Sequence, residues 1–276
     1  MTKVDQAGIS DIGLVRGKNE DCLGHHIPDD PVVLSKKGQL FIVADGVGGY
    51  GAGDVASQAA VAELIKSYYA SSRRPEKALQ NAIAHVNLHV FDLAIETNHH
   101  RMQTTLSALV LVGKMFHIAH VGDTRVYRAR KNTQIEQLTN DHSEVAELVR
   151  MKILSPDKVR GHDRRSIITK SVGAETIVRP MLRTGEIRPG DRFVMCTDGA
   201  WESVEDDEIG QIATSREPTE ACAEIIRLAI ERNTRDNLSV QIVHVLEVVE
   251  DRLPVESALT VGLRQIRKLF HREEVL

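Results

Sequence analysis

Two short segments of the chain each end a strand-like apolar run in an Asp-Gly pair. The first covers residues 41–46 and ends in Asp45-Gly46, and the second covers residues 193–199 and ends in Asp198-Gly199. A strand delivers a terminal aspartate to the rim of a sheet, and glycine lets the backbone turn sharply beside it. Carboxylates held in this way on rigid elements suit hard divalent cations, which prefer oxygen ligands.

Two further aspartates occupy comparable positions. Asp236 precedes an alternating strand pattern that begins at Leu238, and Asp123 follows an apolar run that ends in Val121-Gly122. A single Asp-Gly pair is ordinarily only a turn, so the interpretation depends on the set occurring together. Four aspartates at strand ends or turns indicate a metal-centred hydrolytic enzyme.

Length and composition restrict the class of protein. The chain has 276 residues, which fits one large domain or two small ones, and its hydrophobic fraction of 42% is enough for a core. Aromatic residues make up only 4%, so aliphatic side chains must fill most of that core. The net charge of -4 gives no broad basic surface, and we expect no nucleic-acid partner. The apolar runs have strand length, and we expect no transmembrane segment.

The cysteines and the first residues bear on the compartment. Cys22, Cys196 and Cys222 are far apart and odd in number, so a disulfide framework is not expected. Residues 1–5 carry no apolar signal segment. These features predict a cytoplasmic protein.

The hydrophobic pattern predicts the elements that position the aspartates. Strands are expected at 8–24, 40–44, 104–112, 115–120, 126–130, 192–197 and 238–248, and helices at 54–70, 75–97, 144–151 and 219–232. A loop is expected through Pro28 and Pro31, and an exposed acidic turn at residues 206–208. Strands and helices do not alternate regularly, which favours an α+β domain with antiparallel sheets.

Residues 251–276 differ from the preceding 1–250, which we predict to form the catalytic domain. Apolar residues of this tail recur on one helical face, and basic residues lie between them: Leu259, Leu263, Ile266, Leu269 and Phe270, with Arg264, Arg267, Lys268 and Arg272. This pattern predicts a basic amphipathic C-terminal helix or tail. Three roles stay open for this tail: packing on the domain, fraying as a terminus, or docking to a partner or a membrane surface.

Eight motifs resemble, in order, those of the metal-dependent type 2C Ser/Thr protein phosphatases. They are Arg16-Gly-Lys-Asn-Glu-Asp21, Asp45-Gly-Val-Gly-Gly49, Thr104-Thr-Leu106, Val121-Gly-Asp-Thr-Arg125, Leu138-Thr-Asn-Asp-His-Ser143, Ile168-Thr-Lys-Ser-Val-Gly173, Cys196-Thr-Asp-Gly199 and Arg235-Asp-Asn237. The resemblance covers residues 8 to 248 and is greatest to bacterial members of the family.

The resemblance implies both fold and reaction. The expected fold is a four-layer α/β/β/α sandwich of two antiparallel sheets flanked by helices, with metals at one end. The expected activity is hydrolysis of phosphoserine and phosphothreonine in proteins, by direct attack of a metal-bridging hydroxide on phosphorus. Phosphorylated proteins, and a cognate Ser/Thr kinase with its substrates, are the partners that the resemblance implies.

The resemblance also assigns metal ligands. Asp45 would bridge two divalent cations, manganese or magnesium, and the Gly46 carbonyl would bind one of them. Asp198 and Asp236 would bind the other. Asp123, together with Asp198, resembles the site of a third and weaker ion, so two to three cations are expected.

Other residues receive roles around these ions. Arg16 would bind the substrate phosphate, because its planar guanidinium matches phosphate oxygens. Glu20 and Asp21 would orient waters on the ions without binding the ions directly. Asn237 would brace the loop of Asp236. The implied catalytic group is Arg16, Asp21, Asp45 and Asp198.

The residue at one position implicated in proton donation differs from that of many family members. Many eukaryotic members carry histidine directly after the first Asp-Gly, where this chain has Val47, which cannot donate a proton. A metal-bound water is the preferred donor. His142 lies in a motif and is an alternative, although a structural role in capping a turn is favoured.

Residues 143–172 resemble the variable flap beside the active site. Its polar part, residues 157–165, carries Lys158, Arg160, Arg164 and Arg165, and we hypothesise that this basic flap helps to select phosphopeptides. Two alternatives stay open at this point. One is a catalytically weak phosphoprotein-binding scaffold of the same fold, and the other is a different two-metal enzyme such as a nuclease.

Overall fold

The computed structural model describes residues 2–47, 52–99 and 101–248. The strands in these ranges are β1 (Lys3–Asp11), β2 (Asp21–His26), β3 (Gln39–Val47), β4 (Gln103–Thr104), β5 (Leu106–Val112), β6 (Met115–Val121), β7 (Arg125–Ala129), β8 (Glu136–Gln137), β9 (Met181–Glu186), β10 (Arg192–Cys196) and β11 (Leu238–Glu247). The α-helices are α1 (Pro31–Lys37), α2 (Gly53–Ala70), α3 (Pro75–Glu96), α4 (Glu144–Arg150), α5 (Asp198–Trp201), α6 (Asp206–Ser215) and α7 (Pro218–Glu231). The predicted tail helix lies outside the described residues.

The strands form two antiparallel sheets. One sheet has the order β1-β11-β10-β7-β8, and the other has the order β2-β3-β5-β6-β9 with β4 paired to β3. Helices α2 and α3 cover the second sheet, and α5, α6 and α7 cover the first. The predicted α+β sandwich of two antiparallel sheets flanked by helices is confirmed. Within the described ranges, no helix has both the length and the apolar character needed to cross a bilayer.

Strand β3 shows why the central strands read as unbroken apolar runs. Leu40 and Ile42 belong to the apolar cluster under α2 and α3, whereas Phe41 and Val43 belong to the cluster between the two sheets. Successive side chains of a strand point to opposite faces, so a strand buried on both faces has no polar position. The same alternation holds in β10, where Val194 and Cys196 face the helices and Phe193 and Met195 face the other sheet.

The predicted strand over residues 8–24 is wrong as a single element. Residues 3–11 form β1 at the edge of one sheet, and residues 21–26 form β2 at the edge of the other. The residues between them form a loop that crosses from sheet to sheet and carries Arg16. The two edge strands are only partly buried, so their patterns run into that of the polar loop.

Two short helices lie where a loop and a turn were expected. Helix α1 begins after Asp30, whose carboxylate accepts the Val32 amide at 2.8 Å, and Pro31 occupies its first turn. The expected acidic turn at 206–208 is the start of α6, where Glu205 and Glu208 form a capping box. Acidic side chains stabilise a helix N-terminus, so this charge run marks a helix start instead of a turn.

Candidate active site

Five aspartates from the two sheets meet at one end of the sandwich. Asp45 lies near the end of β3 and is the register partner of Asp21, the first residue of β2. In the other sheet, Asp198 follows β10, whereas Asp123 and Asp236 precede β7 and β11. All five therefore lie where strands start or finish at the same edge.

A cavity of about 310 Å³ opens at this end. It is lined by Arg16, Glu20, Asp45, Gly46, Val47, Asp123, Ser166, Ile168, Asp198, Asp236 and Asn237. Every residue that the sequence predicted for the site is in this lining except Asp21, which is buried. Ser166 and Ile168 were not predicted as site residues, because they come from the variable flap segment and carry no charge.

Burial and mutual repulsion oppose ionisation of the carboxylates. Burial, followed by the neighbouring carboxylates, raises the pKa of Asp45 and of Asp198 well above the usual aspartate range. Burial raises the pKa of Asp21 and of Asp123 to about 7. Such a group of carboxylates is costly to ionise without cations nearby.

The donor set fits hard divalent cations. The Oδ1 atoms of Asp21 and Asp198 are buried and receive no hydrogen bond from any described residue, so each has an unused lone-pair site. The other candidates are carboxylate or carbonyl oxygens, the ligands that manganese and magnesium prefer. Among the described residues, no three His, Cys, Asp or Glu side chains are already as close as a closed metal cage requires. The oxygens converge on the cavity, and bound cations would draw them together.

The backbone at Asp45-Gly46 is fixed by neighbouring segments. The Thr105 Oγ1 accepts the Asp45 amide at 2.9 Å, and the Thr105 amide donates to the Asp45 carbonyl at 2.8 Å. The Thr104 hydroxyl donates to the same carbonyl at 2.8 Å. A Cβ on Gly46 would overlap the Gly53 carbonyl, so only glycine allows this approach.

Arg16 lies at the mouth of the cavity and pairs with Asp236. Its guanidinium nitrogen is 2.6 Å from the Asp236 carboxylate, and this hydrogen bond raises the pKa of Arg16. About half of the Arg16 side chain is exposed. An incoming phosphate can therefore reach the guanidinium from solvent.

Asn237 joins the loop before β11 to the loop that carries Arg16. Its side-chain amide donates to the carbonyls of Ile12 at 2.8 Å and Lys18 at 2.9 Å, and its side-chain oxygen accepts the Glu20 amide at 2.9 Å. One buried side chain thus ties both ends of the Arg16 loop.

Asp21 and Glu20 are held by different partners. The Thr197 hydroxyl donates to Asp21 Oδ2 at 2.9 Å, and the same hydroxyl oxygen accepts the Ser239 amide. The Glu20 carboxylate accepts the Gly53 amide at the start of α2 at 3.2 Å, and burial raises the pKa of Glu20. Thr197 was not predicted, because its partner is 176 residues away in the sequence.

A buried ion pair between Arg125 and Asp141 contacts Asp123 through Trp201. The Trp201 indole donates to the Asp123 carbonyl at 3.1 Å, and the Arg125 guanidinium lies 3.5 Å from the centre of the Trp201 ring. Arg125 in turn pairs with Asp141 at 2.7 Å. Trp201 and Arg125 are not ligands for the expected cations, so no feature of the sequence connects them to the site.

His142 has a structural environment and does not line the cavity. Its Nδ1 accepts the Gly122 amide at 3.1 Å, and its ring stacks on His120 at 5.0 Å. Burial, followed by the charge of His120, lowers the pKa of His142 to about 3. These contacts agree with the favoured interpretation of His142 as a residue that caps a turn.

Three arginines of the flap are engaged in ion pairs. Arg160 bonds the Trp201 carbonyl at 2.9 Å and the Asp206 carboxylate at 2.6 Å. Arg165 bonds Glu202 at 2.9 Å. Arg164 pairs with Glu144 within the flap at 3.2 Å. The flap is therefore anchored on the segment that follows Asp198.

Comparison with known proteins gives the family. The family model described as protein phosphatase 2C matches residues 24–247. The chain belongs to the protein phosphatase 2C family. It is 29% identical over 245 residues to the protein phosphatase PhpP of Streptococcus pneumoniae, which covers 87% of this chain and 96% of PhpP.

Solved structures agree with this assignment. The serine/threonine phosphatase Stp1 from Staphylococcus aureus matches with a TM-score of 0.81 and 30% identity, over 89% of this chain and 96% of that one. The catalytic domain of the serine/threonine protein phosphatase PstP, in complex with two manganese ions, matches with a TM-score of 0.76 and 29% identity, over 88% and 99%.

Proposed function

We propose that this protein hydrolyses phosphoserine and phosphothreonine in phosphorylated proteins. The observation that carries the proposal is the convergence of Asp45, Asp123, Asp198 and Asp236 on one cavity with Arg16 at its mouth. A phosphate monoester brings two negative charges to a group of carboxylates, so cations and a guanidinium must neutralise both. Membership of the protein phosphatase 2C family supports the same reaction.

The activity depends on divalent cations, and we propose manganese or magnesium in two or three sites. Asp45 and the Gly46 carbonyl would hold one ion, and Asp45, Asp198 and Asp236 would hold a second. Asp123 and Asp198 would hold a third. When bound, the cations neutralise phosphate charge and activate water for attack on phosphorus. The two manganese ions in the PstP complex support this assignment.

The remaining polar residues position the substrate and water. Arg16 binds the phosphate oxygens through two parallel N–H groups, for which it must release part of its bond to Asp236. Glu20 accepts hydrogen bonds from water in the cavity, and the buried Asp21, whose Oδ1 has no hydrogen-bond partner among the described residues, would help to orient water on the cations. Asn237 holds the Arg16 loop at the correct distance from Asp236.

A water molecule in the cavity is the proposed donor to the leaving oxygen. Val47 lines the cavity but has no proton to give, and His142 is directed to the Gly122 amide instead. The carboxylate oxygens that line the cavity, such as those of Asp123, would accept hydrogen bonds from this water and orient it.

The finer assignments concern the domain, compartment and partners. Residues 1–250 are proposed as the phosphatase domain with a flap at about 143–172, and residues 251–276 as a basic amphipathic helix or tail that packs on the domain, frays or docks a partner. The three cysteines are free, which supports a reducing cytoplasm. A cognate Ser/Thr kinase and its substrates are the proposed source of phosphorylated proteins.

Release of phosphate from a phosphothreonine peptide tests the proposal. The peptide is incubated with added manganese and, separately, with a chelator. We expect release that needs manganese and stops with the chelator. No release by the folded protein under either condition would contradict the proposal and favour a phosphoprotein-binding scaffold, which phosphopeptide binding would then test.

A further inference from the structure

A second cavity, of about 540 Å³, opens beside the active site. It is lined by the segment 168–179 together with Gln103, and we call it the side groove. Ile168 lines both the side groove and the active-site cavity, so the two adjoin at this residue. The size of the side groove is within the range of natural ligand sites.

The two cavities are also joined through the backbone. Gln103 in the side groove is the register partner of Val47 in the active site, and Thr104 is the partner of Gly46. Thr104 exchanges both backbone hydrogen bonds with Val172, at 3.0 and 2.8 Å. The wall of the side groove is thus attached to the strand that carries Asp45.

Buried contacts fix the far wall of the side groove. Asn87, which is buried on α3, accepts the Gly173 amide at 2.9 Å and donates to the Glu175 carbonyl at 2.8 Å. The Ser171 hydroxyl donates to the Gln103 side chain at 2.6 Å. A ligand therefore meets a preformed surface and not a loop that it must first order.

The side groove presents an apolar contact and two cations. Ile177 lines the side groove and is 75% exposed, so its apolar side chain is accessible to a ligand there. Lys170 and Arg179 also line the side groove, against one acidic residue, Glu175. Lys170 donates to the Arg179 carbonyl at 3.3 Å, and its ammonium group has two further protons to donate.

We propose that the side groove binds the residues that flank the phosphorylated residue of a substrate, and that it selects a segment with an acidic and an apolar side chain. The inference rests on the proposed function, because it assigns the substrate class of that same site. Because both cavities border Ile168, one extended peptide can reach both. Lys170 and Arg179 select negative charge, and Ile168 and Ile177 select an apolar side chain.

Two phosphothreonine peptides test this assignment. One carries acidic and apolar flanking residues, and in the other glutamine replaces the acidic ones. For each protein variant, kcat/KM on each peptide is divided by kcat/KM on p-nitrophenyl phosphate, which has no flanking residues. Binding of each peptide is measured separately by fluorescence anisotropy in the presence of a chelator.

Charge removal and apolar truncation have separate expected results. Lys170→Gln and Arg179→Gln should each lower the ratio for the acidic peptide by roughly two- to five-fold, the effect of one exposed charge pair, and leave the glutamine peptide unchanged. Ile177→Ser should lower the ratio for both peptides. Matched controls on α1, Lys36→Gln and Val32→Ser, line neither cavity and should change neither ratio.

The outcomes separate this inference from the proposed function. Unchanged ratios and unchanged peptide binding in all three variants would overturn the side groove as a substrate site. A wild-type protein that releases no phosphate from any substrate would overturn the proposed function. In that case, the side groove would still be supported if Lys170→Gln and Arg179→Gln bind the acidic peptide more weakly than the wild type does. Equal binding by the wild type and these variants would overturn it.

Discussion

At the scale of single residues, the carboxylates of the site oppose one another until cations arrive. Burial is the main cause of the raised pKa of Asp198, and repulsion by neighbouring carboxylates, first Asp123 and then Asp236, adds to it. A pKa above the ordinary value means that the folded, cation-free protein disfavours the ionised carboxylate. Stability and cation binding are therefore coupled at this residue.

Asp198→Asn should lower the rate of phosphate release by a factor on the order of 10² or more, the scale seen when one preorganised electrostatic partner is removed. In a chelator, the variant should melt at a higher temperature than the wild type, because a buried like charge has been removed. Added manganese should stabilise the variant less than the wild type.

Thermal melting with and without manganese checks both expectations, and phosphate release checks the first. Asp29→Asn, at an exposed position before α1, serves as the control and should behave like the wild type. An Asp198→Asn variant with near-normal turnover would contradict the two-metal interpretation.

His120 predicts a pH dependence of folding. It is fully buried, with Ser107 Oγ 2.8 Å from Nδ1 and the Asn140 carbonyl 3.2 Å from Nε2, and burial lowers its pKa to about 4. The unfolded chain therefore binds the proton more readily than the folded one. The contribution of neutral His120 to the free energy of unfolding is complete above about pH 6.5, the ordinary histidine pKa, and is lost as the pH falls from there toward about 4.

From these values, His120 should lower the free energy of unfolding by about 2 kcal/mol between about pH 7.5 and pH 5. Urea unfolding of the wild type and of His120→Asn over this range gives the free energy of unfolding as a function of pH. We expect it to fall more steeply with decreasing pH in the wild type than in His120→Asn. His89→Asn, on the exposed side of α3, is the control. Parallel curves for the wild type and His120→Asn would contradict the prediction.

At the scale of elements, the close approach of α5 to the loop before β11 sets the distance between Asp198 and Asp236. A Cβ on Gly199 would overlap the carbonyl oxygen of Asn237. The Thr234 hydroxyl donates to the Gly199 carbonyl at 3.0 Å and holds the two segments together. Glycine at this position is therefore a requirement of packing.

Gly199→Ala should destabilise the fold by about 1–3 kcal/mol, the usual range for an overpacked contact, and should weaken stabilisation by manganese. Gly161→Ala is the matched control, because no neighbouring atom lies within 4 Å of a Cβ at Gly161. Denaturant unfolding with and without manganese measures both effects. Equal stability of the two variants would show that the segments can separate without loss.

The elements differ in how far the sequence predicts them. Strands β3 and β10 are predicted because burial on both faces leaves an unbroken apolar run. Helix α1 has seven residues and no full apolar stripe, and β9 is a partly buried edge strand, so neither leaves a periodic pattern. The pairing of β1 with β11 joins the two ends of the domain, and no local pattern reports it.

The residues of the site also differ in how far the sequence predicts them. Asp45, Asp123, Asp198 and Asp236 are recognisable because each follows or precedes an apolar run beside glycine or within a motif. Contacts such as Thr197 to Asp21 and Trp201 to the Asp123 carbonyl depend on the folded geometry of distant segments. The side groove was not predicted, because its walls come from residue 103 and from residues 168–179, which only the folded structure brings together.

At the scale of the whole molecule, the flap connects the substrate side of the cavity to the segment behind Asp198. Replacing residues 155–165 with a Gly-Ser segment of equal length removes Arg160 and Arg165 and their bonds to residues 201–206. We expect the ranking of phosphopeptides by kcat/KM to change. Phosphate release across a small set of phosphopeptides measures the ranking, and an unchanged order would remove the flap from substrate selection.

The antiparallel pairing of β1 with β11 also determines how the domain can be attached to anything else. Lys3 is the register partner of Glu247, so the chain enters and leaves the domain side by side. Strand β11 starts beside Asp236 and runs ten residues away from it, roughly 33 Å at the rise of a strand. Residues 3 and 247 therefore lie together, at the end of the sandwich away from the active-site cavity. A fusion partner or an immobilising surface joined there would leave the mouth free to swivel toward a phosphorylated chain.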